Sequence, residues 1–244
     1  MTDDIMENGL LIGFPLEVWT PPARPPNEPM QGRYCRVERL HIDTHAADLF
    51  AANSLDTRHI NWIYLPYGPF ATLPDYCAWI ESVCLSDDPL FHSIVDLATG
   101  RAVGVASYLN INLQNGTIEV GHINYSPALQ NTRAATEAMY LMMKRAFELG
   151  YRRYEWKCNA LNRKSRDAAQ RLGFSYEGVF RQHMVTKSRN RDSAWYAAID
   201  SEWPALQAAF ETWLAPENFA ADRQQREALS RLTAPLLVAR HGIS

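Results

Sequence analysis

The sequence lacks a long hydrophobic run: none of its apolar stretches reaches the roughly 18 residues that a membrane-spanning helix needs. Its N-terminus, MTDDIMENGL, is acidic where a secretory signal is basic, so we expect a cytoplasmic protein that does not bind membranes. The chain also lacks a basic excess, with 24 Lys and Arg against 27 Asp and Glu. That balance disfavours nucleic acid as a partner.

Cysteine and metal-ligand patterns are equally sparse. The four cysteines show no CxxC spacing, which is typical of reduced thiols in a chain that needs no disulfides. His41 and His45 stand four residues apart, but no Glu follows the first, as the helix of a metalloprotease requires. We therefore expect no metal site.

The composition instead favours one large core domain with extensions, since 47% of the 244 residues are hydrophobic. Residues 1–32 contain PPARPPNEP and are predicted to be an extended arm, either passive or a Pro-rich recognition motif. Residues 33–203 are predicted to form the domain. Residues 204–244 are predicted to be a helical extension packed on its outside, and dimerisation through an edge strand or these helices stays open.

Hydrophobic periodicity predicts the element order within the domain. A strand at YCRVERLHI and a helix capped by Asp43 or Thr44 are followed by an aromatic loop and a second helix, LPDYCAWIESVCL. Three antiparallel strands follow at 91–99, 101–113 and 116–126. The longest helix ends at Gly150, and a strand at 152–160, a helix ending at Gly173 and two strands around KSRNRD complete the domain.

This order and three local motifs resemble the GNAT superfamily of acyl-CoA N-acyltransferases. The motifs are TEA at the start of the long helix, N-x-x-S on the next helix, and LGF-x-x-EG after it. They are most similar to the branch that contains the N-terminal acetyltransferases of ribosomal proteins. The resemblance implies an α/β fold with a mixed, mostly antiparallel sheet that has helices on both faces and is splayed between its fourth and fifth strands.

The resemblance also implies the donor, acetyl-CoA, and an amine acceptor, either a small molecule or a protein N-terminus. The pantetheine arm is expected to bond to the splayed strands, 117–125 and 152–159. At the start of the long helix, free amides and the helix dipole suit a pyrophosphate. The predicted donor-binding residues are Ile123, Tyr125, Gln130, Asn131, Thr132, Arg133, Ala134, Ala135, Thr136, Asn159, Asn162 and Lys164.

One position in this phosphate-binding segment departs from the family. Where GNAT proteins usually show Q/R-x-x-G-x-G/A, Arg133 replaces the first glycine. Its side chain either crowds the phosphates or pairs with them through its guanidinium. Asn162 is interpreted as a ligand of the pantetheine arm, as an N-cap, or as both. Lys164 and the neighbouring arginines suit either the CoA phosphates or a solvated helix face.

Catalysis of amine acetylation requires a base for the amine and benefits from a proton donor for the thiolate. Glu119, on the strand that bears the base in the family, is the first candidate; the alternative is a surface or structural Glu paired with Arg152 or Arg153. His122, predicted on the opposite face of that strand, is the reserve base or a packed histidine. The proton donor of other family members is commonly a Tyr, at a position that Ala169 occupies here. Ser165 matches the serine that this branch uses instead; the alternative is a helix-surface or first-turn serine.

The acceptor site is predicted among aromatic side chains, because aromatics at loop positions can wall a pocket or bind a cation. The predicted substrate-binding residues are Trp62, Tyr64, Tyr67 and Trp156, with packing as the alternative for each. The missing Tyr at position 169 and Gly at position 133 leave one competing hypothesis open, a GNAT-fold protein that binds acyl-CoA without transferring it.

Overall fold

The computed structural model describes residues 5–220 and 224–241. Residues 1–4 of the predicted arm, and 221–223 and 242–244 of the predicted C-terminal extension, lie outside the described residues. The strands are β1 (Ile5–Glu7), β2 (Leu10–Ile12), β3 (Met30–Gln31), β4 (Cys35–Arg39), β5 (Leu90–Asp96), β6 (Arg101–Asn112), β7 (Thr117–Tyr125), β8 (Arg153–Asn159), β9 (Ser175–Thr186) and β10 (Arg189–Ile199). β1 and β2 form a separate hairpin, and the other eight form one sheet in the order β3-β4-β5-β6-β7-β8-β10-β9. Only β7 and β8 pair in parallel; their neighbours are antiparallel.

The helices are α1 (Ile42–Asn53), α2 (Leu73–Trp79), α3 (Arg133–Glu148), α4 (Arg163–Arg171), α5 (Trp203–Leu214) and α6 (Leu229–Thr233), and a π-helical turn at Ile80–Cys84 continues α2. They cover both faces of the sheet, as alternation along β5 shows. Phe91 and Val95 pack in one core with α1 and α2. Leu90 and Ile94 pack in the other core with α3, α5 and α6. The predicted mixed, mostly antiparallel sheet between helical layers is confirmed.

Caps determine where the site-forming helices begin. The Thr132 Oγ accepts a hydrogen bond from the amide of Ala135 at 3.1 Å, and the Asn162 Oδ1 accepts one from Ser165 at 3.2 Å. Each side chain satisfies an amide that has no acceptor within its own helix. The predicted cap of α1 is wrong, because Asp43 lies inside the helix and His41 occupies the cap position without a side-chain bond.

The proline-rich arm lies on the domain surface as an extended segment. Pro22 and Pro25 are buried, and the Trp19 indole donates to the Gln114 carbonyl at 3.1 Å. The Arg145 guanidinium bonds to the backbone carbonyl of Glu28 at 3.3 Å. The arm then enters the sheet as β3, so these contacts attach residues 19–31, whereas β1 and β2 form a hairpin before them whose second strand is exposed.

The C-terminal extension packs against α3 and α4 and reaches back to β9. Trp203 and Phe210 of α5 contact the Tyr140 ring of α3. The Thr233 hydroxyl donates to the Arg171 carbonyl at 3.1 Å, and the Tyr176 amide bonds to the Ala239 carbonyl at 3.0 Å. Residues 224–228 are not helical, so within the described residues the predicted second helix forms only as its last turn, α6; positions 221–223 of that prediction lie outside them.

Candidate active site

The central feature of the site is a gap between β7 and β8. These strands pair from Thr117 with Arg153 to Val120 with Trp156, and beyond that pair no further pairing joins them in the described structure. β7 continues to Tyr125 and β8 to Asn159, so each presents an unpaired backbone edge to the other. Buried backbone groups need partners, and a ligand with amide groups can supply them.

A cleft of about 1840 Å³ occupies this gap and extends to the N-terminal end of α3. Its donor half is lined by 130–136, where the chain enters α3, and by Asn162 and Ser165 at the start of α4. Its acceptor half is lined by Glu119, His122, Lys157 and Arg191. Every donor-binding residue expected from the sequence lines this one cleft.

The first turn of α3 offers backbone donors to the donor half. The amide of Ala135 is taken by Thr132, whereas the amides of Arg133 and Ala134 precede the first acceptor that the helix can supply. The helix has 16 residues, so the positive end of its dipole also lies here. These features suit an anionic group such as a pyrophosphate.

Side chains next to this turn are already bonded to the protein. The Gln130 Nε2 donates to the Tyr125 carbonyl at 2.8 Å and to the Asn61 Oδ1 at 2.9 Å. The side-chain Nδ2 of Asn61 donates to the same Tyr125 carbonyl at 3.1 Å. That carbonyl, expected to bond to pantetheine, therefore has two protein donors, and Gln130 acts as a brace between loops. Asn131 adopts a left-handed φ of 59° in the bend that precedes the helix.

The Arg133 guanidinium lies between two aromatic rings. Its Cζ is 4.7 Å from the centroid of Tyr34 and 4.6 Å from that of Phe219, and its Nη1 donates to the Tyr34 hydroxyl at 3.3 Å. Cation–π contacts of this kind hold an arginine while leaving its edge available. The side chain is thus held between Tyr34, at the start of the domain, and Phe219 of the C-terminal extension, at the wall of the cleft.

The start of α4 brings Asn162, Ser165 and Trp156 together. Asn162 acts as the N-cap through its Oδ1, and the Trp156 indole donates to the Ser165 Oγ at 3.1 Å. Because that oxygen accepts from Trp156, the hydroxyl hydrogen is available to another acceptor. Burial raises the pKa of the adjacent Cys158 thiol, which disfavours the thiolate.

The three basic residues at the start of α4 differ in their contacts. Lys164 is exposed at the edge of the cleft. Arg163 forms an ion pair with Asp167 at 3.7 Å, and Arg166 donates to the Ala160 carbonyl and the Tyr196 hydroxyl. Of these three cations, Lys164 alone lines the cleft.

Glu119 is buried, with 2% of its side chain exposed, and its partner is neither Arg152 nor Arg153. Its Oε2 lies 3.2 Å from the Lys157 Nζ and accepts from the Asn110 Nδ2 at 2.8 Å. Both contacts use one oxygen, which leaves Oε1 available at the cleft wall. Burial raises the pKa of this carboxyl, and the Lys157 cation opposes the increase.

His122 lines the same cleft as Glu119, so its predicted position on the opposite face is wrong. Between Gly121 and Asn124 β7 contains one residue more than β6 does between Val105 and Ser107, and His122 has a φ of 50°. This β-bulge interrupts the alternation of side chains. The Tyr67 hydroxyl lies 3.0 Å from His122 Nδ1, and burial is the main cause that lowers the His122 pKa to about 4.

Two of the four predicted substrate-binding aromatics do not line the cleft. Trp62 is 4% exposed and packs edge-on against Tyr67 and Phe70 in the α1 and α2 core. Tyr67 contacts the cleft only through His122. Tyr64 does line the cleft and donates to the Leu161 carbonyl at 3.2 Å. Trp156 also lines the cleft, next to Ser165, to which it donates a hydrogen bond.

Sequence reasoning missed Lys157, Arg191 and Asn110, and it placed the C-terminal extension outside the site. Phe219, Gln225 and Ser230 of that extension line the cleft. Alternation along β8 was a usable signal for Lys157, since odd positions face away from buried Tyr154 and Trp156. No local signal predicted that the extension lines the cleft, because its contacts depend on how the chain turns back after α5.

Within the described ranges, 5–220 and 224–241, no cluster of three or more His, Cys, Asp or Glu side chains is arranged to hold a metal ion. In the same ranges, no helix combines the length and the hydrophobicity that crossing a bilayer demands.

Comparisons with known proteins agree with this geometry. Residues 37–175 match the family model described as an acetyltransferase (GNAT) domain. A GCN5-related N-acetyltransferase from Brucella melitensis is 44% identical with a TM-score of 0.88, over 90% of this chain and 100% of that one. A probable acetyltransferase of the GNAT family from Chromobacterium violaceum is 38% identical with a TM-score of 0.75, over 80% of this chain and 98% of that one.

A more distant structure shares the fold alone. It is named as a ribosomal-protein-serine acetyltransferase from Vibrio cholerae, with 15% identity and a TM-score of 0.61, over 71% of this chain and 98% of that one. No curated protein sequence matches the chain. The resemblance inferred from the TEA, N-x-x-S and LGF-x-x-EG motifs is confirmed by these matches.

Proposed function

The chain belongs to the GNAT acetyltransferase family and is an acyltransferase, and we propose that it transfers acetyl from acetyl-CoA to a primary amine by direct attack in a ternary complex. The observation that carries this proposal is the divergence of β7 and β8 beyond Val120 and Trp156, which opens toward the N-terminal end of α3. Family membership favours this activity over the acyl-CoA-binding protein without transferase activity.

The donor half suits the CoA portion of the donor. The amides of Arg133 and Ala134 and the dipole of α3 support a pyrophosphate, and the edge of the Arg133 guanidinium adds a cation. The unpaired edges of β7 and β8 supply partners for the two amide groups of pantetheine. This placement directs the thioester toward Glu119 and Ser165.

Glu119 is proposed as the base, with its free Oε1 receiving the proton from the amine directly or through one water. The free-base amine nitrogen bonds to the acetyl carbon as the carbon–sulfur bond breaks, and the proton that passes to Glu119 is the one that the nitrogen loses when it becomes an amide. Ser165 is placed to donate its hydroxyl hydrogen to the departing thiolate and to regain a proton from solvent. His122, neutral at pH 7 because of its lowered pKa, is the second candidate for the base.

The test is release of CoA thiol from acetyl-CoA in the presence of a panel of amines. Glu119→Gln keeps the shape of the side chain and removes the base, so kcat is expected to fall about 100-fold or more, while acetyl-CoA affinity is unchanged. Glu155→Gln is the matched control: this carboxylate pairs with Arg153 at 2.6 Å and does not line the cleft. Binding of acetyl-CoA without thiol release from any amine would contradict the proposal.

A further inference from the structure

The Arg191 side chain lines the acceptor half of the cleft, and no described residue forms a hydrogen bond or an ion pair with it. β10 places it opposite Met184 of β9, next to the turn of that hairpin. Its Nε is buried and makes no hydrogen bond, and the guanidinium forms no ion pair within the described ranges of the chain. Burial lowers the pKa of this group, which reflects the cost of keeping a cation away from water.

The acidic groups nearby do not bond to Arg191. Asp192, the next residue, accepts from the Gln182 amide at 2.7 Å and from the Asn190 side chain at 2.9 Å. Glu119 uses its Oε2 for Lys157 and Asn110. With Lys157 and Glu119 neutralising each other and His122 uncharged at pH 7, the acceptor half keeps one positive charge from Arg191. Arg191 is half-buried, and an anionic group of a ligand would pair with its guanidinium more strongly here than in water.

The location of this charge separates it from the phosphate-binding end of the cleft. Arg191 acts electrostatically on Glu119, His122 and Cys158, all beside the gap between β7 and β8. The pantetheine arm and the thioester in this region carry no charge that could neutralise the guanidinium. An anion that pairs with the guanidinium at this place would therefore belong to the acceptor. Apolar lining nearby, from Leu109 and Met184, accommodates the carbon skeleton of such a molecule.

We propose, resting on the transferase function above, that Arg191 binds a carboxylate or phosphate group of the acceptor, so that the substrate is a small amine carrying an anion a few bonds from its nitrogen. A guanidinium bonds to both oxyanions through two parallel N–H donors. Holding that anion orients the amine beside Glu119 Oε1, since both groups line the same half of the cleft.

The test compares amines that differ only in the anion: leucine with leucinamide for a carboxylate, and phosphoethanolamine with ethanolamine for a phosphate. For at least one pair, kcat/KM of the charged amine is expected to exceed that of its neutral counterpart. Arg191→Gln should reduce this preference about 10- to 100-fold, as loss of a charge-assisted bond does, without changing the KM of acetyl-CoA. Arg189→Gln, an exposed arginine outside the cleft on the same strand, should leave it intact.

A binding measurement keeps the inference independent of turnover. The melting temperature of CoA-saturated protein should rise with the charged member of a pair more than with the neutral one, and Arg191→Gln should abolish the difference. Equal kcat/KM or equal stabilisation within both pairs would overturn the assignment, as would an Arg191→Gln variant that weakens neutral and charged amines alike. Charge-dependent stabilisation without thiol release would uphold Arg191 as an anion site and contradict the proposed transfer.

Discussion

The two halves of the cleft hold their polar groups in different ways. In the donor half, Gln130, Thr132, Arg133 and Ser165 all contact protein partners, and the groups left available are mainly backbone amides. In the acceptor half, the free groups belong to side chains: Glu119 Oε1 and the Arg191 guanidinium. Backbone amides are present whatever the side chain, so we expect the donor half to tolerate Arg133 in place of glycine. We expect acceptor choice to depend on individual residues.

The largest effect is expected from a substitution that breaks the ion pair between Lys157 and Glu119 in the acceptor half. Lys157→Met leaves the carboxylate of Glu119, 2% exposed, with Asn110 as its remaining partner. We expect a loss of about 3 to 5 kcal/mol in the free energy of unfolding, measured by urea denaturation, because one buried charge remains unpaired. The rise of activity with pH should also move to higher pH, since the Lys157 cation no longer opposes the raised Glu119 pKa.

The double variant Glu119→Gln with Lys157→Met serves as its control. It should recover most of the lost stability but none of the activity, because neither buried charge remains. Equal stability of Lys157→Met and the unchanged protein would show that the acceptor half does not depend on this pair.

A second effect follows from His122 and its pH dependence. Its folded pKa of about 4 lies below the unfolded value of 6.5, so folding favours the neutral ring. Its contribution is full above pH 6.5 and is lost as the pH falls from 6.5 through 4. We expect this loss to reach about 3 kcal/mol at most, with urea unfolding between pH 7 and pH 4 as the measurement.

His122→Gln should flatten part of that decline, because glutamine does not titrate. The remaining decline is expected to include His92, whose pKa burial lowers to about 3. An identical decline in both proteins would mean that His122 is protonated as easily in the folded protein as in the unfolded one.

The smallest effect concerns the donor half. Arg133→Ala removes the cation between Tyr34 and Phe219 but keeps the amides of the helix start. We expect the KM of acetyl-CoA to rise about 5- to 10-fold, with kcat and the KM of the amine nearly unchanged. Arg163→Ala, which removes an exposed arginine of α4, should change neither constant. A lower KM in Arg133→Ala would indicate that the side chain crowds the phosphates.

Much of the fold was predictable because its signals are local. Alternation along 91–126 predicted three strands that form β5, β6 and β7, and the helical period before Gly150 predicted α3. The donor half was predictable for the same reason, since a helix start carries free amides wherever it is. The acceptor half was harder to predict. Trp62 and Tyr67 pack in the core with α1 and α2 instead of lining the cleft. His122 lies on another face than simple alternation predicts, because of a bulge that depends on pairing with β6.

The sequence by itself determined the order of the elements, the caps of α3 and α4, and the family motifs, because each depends on residues within a few positions of one another. Tertiary structure alone decided that Lys157 pairs with Glu119, that Phe219 stacks on Arg133, and that the Arg191 guanidinium forms no ion pair with any described residue. The physical reason is that strand register, the bulge in β7 and the return of the C-terminal extension are set by long-range packing. A charge is paired or unpaired only after those distances are fixed.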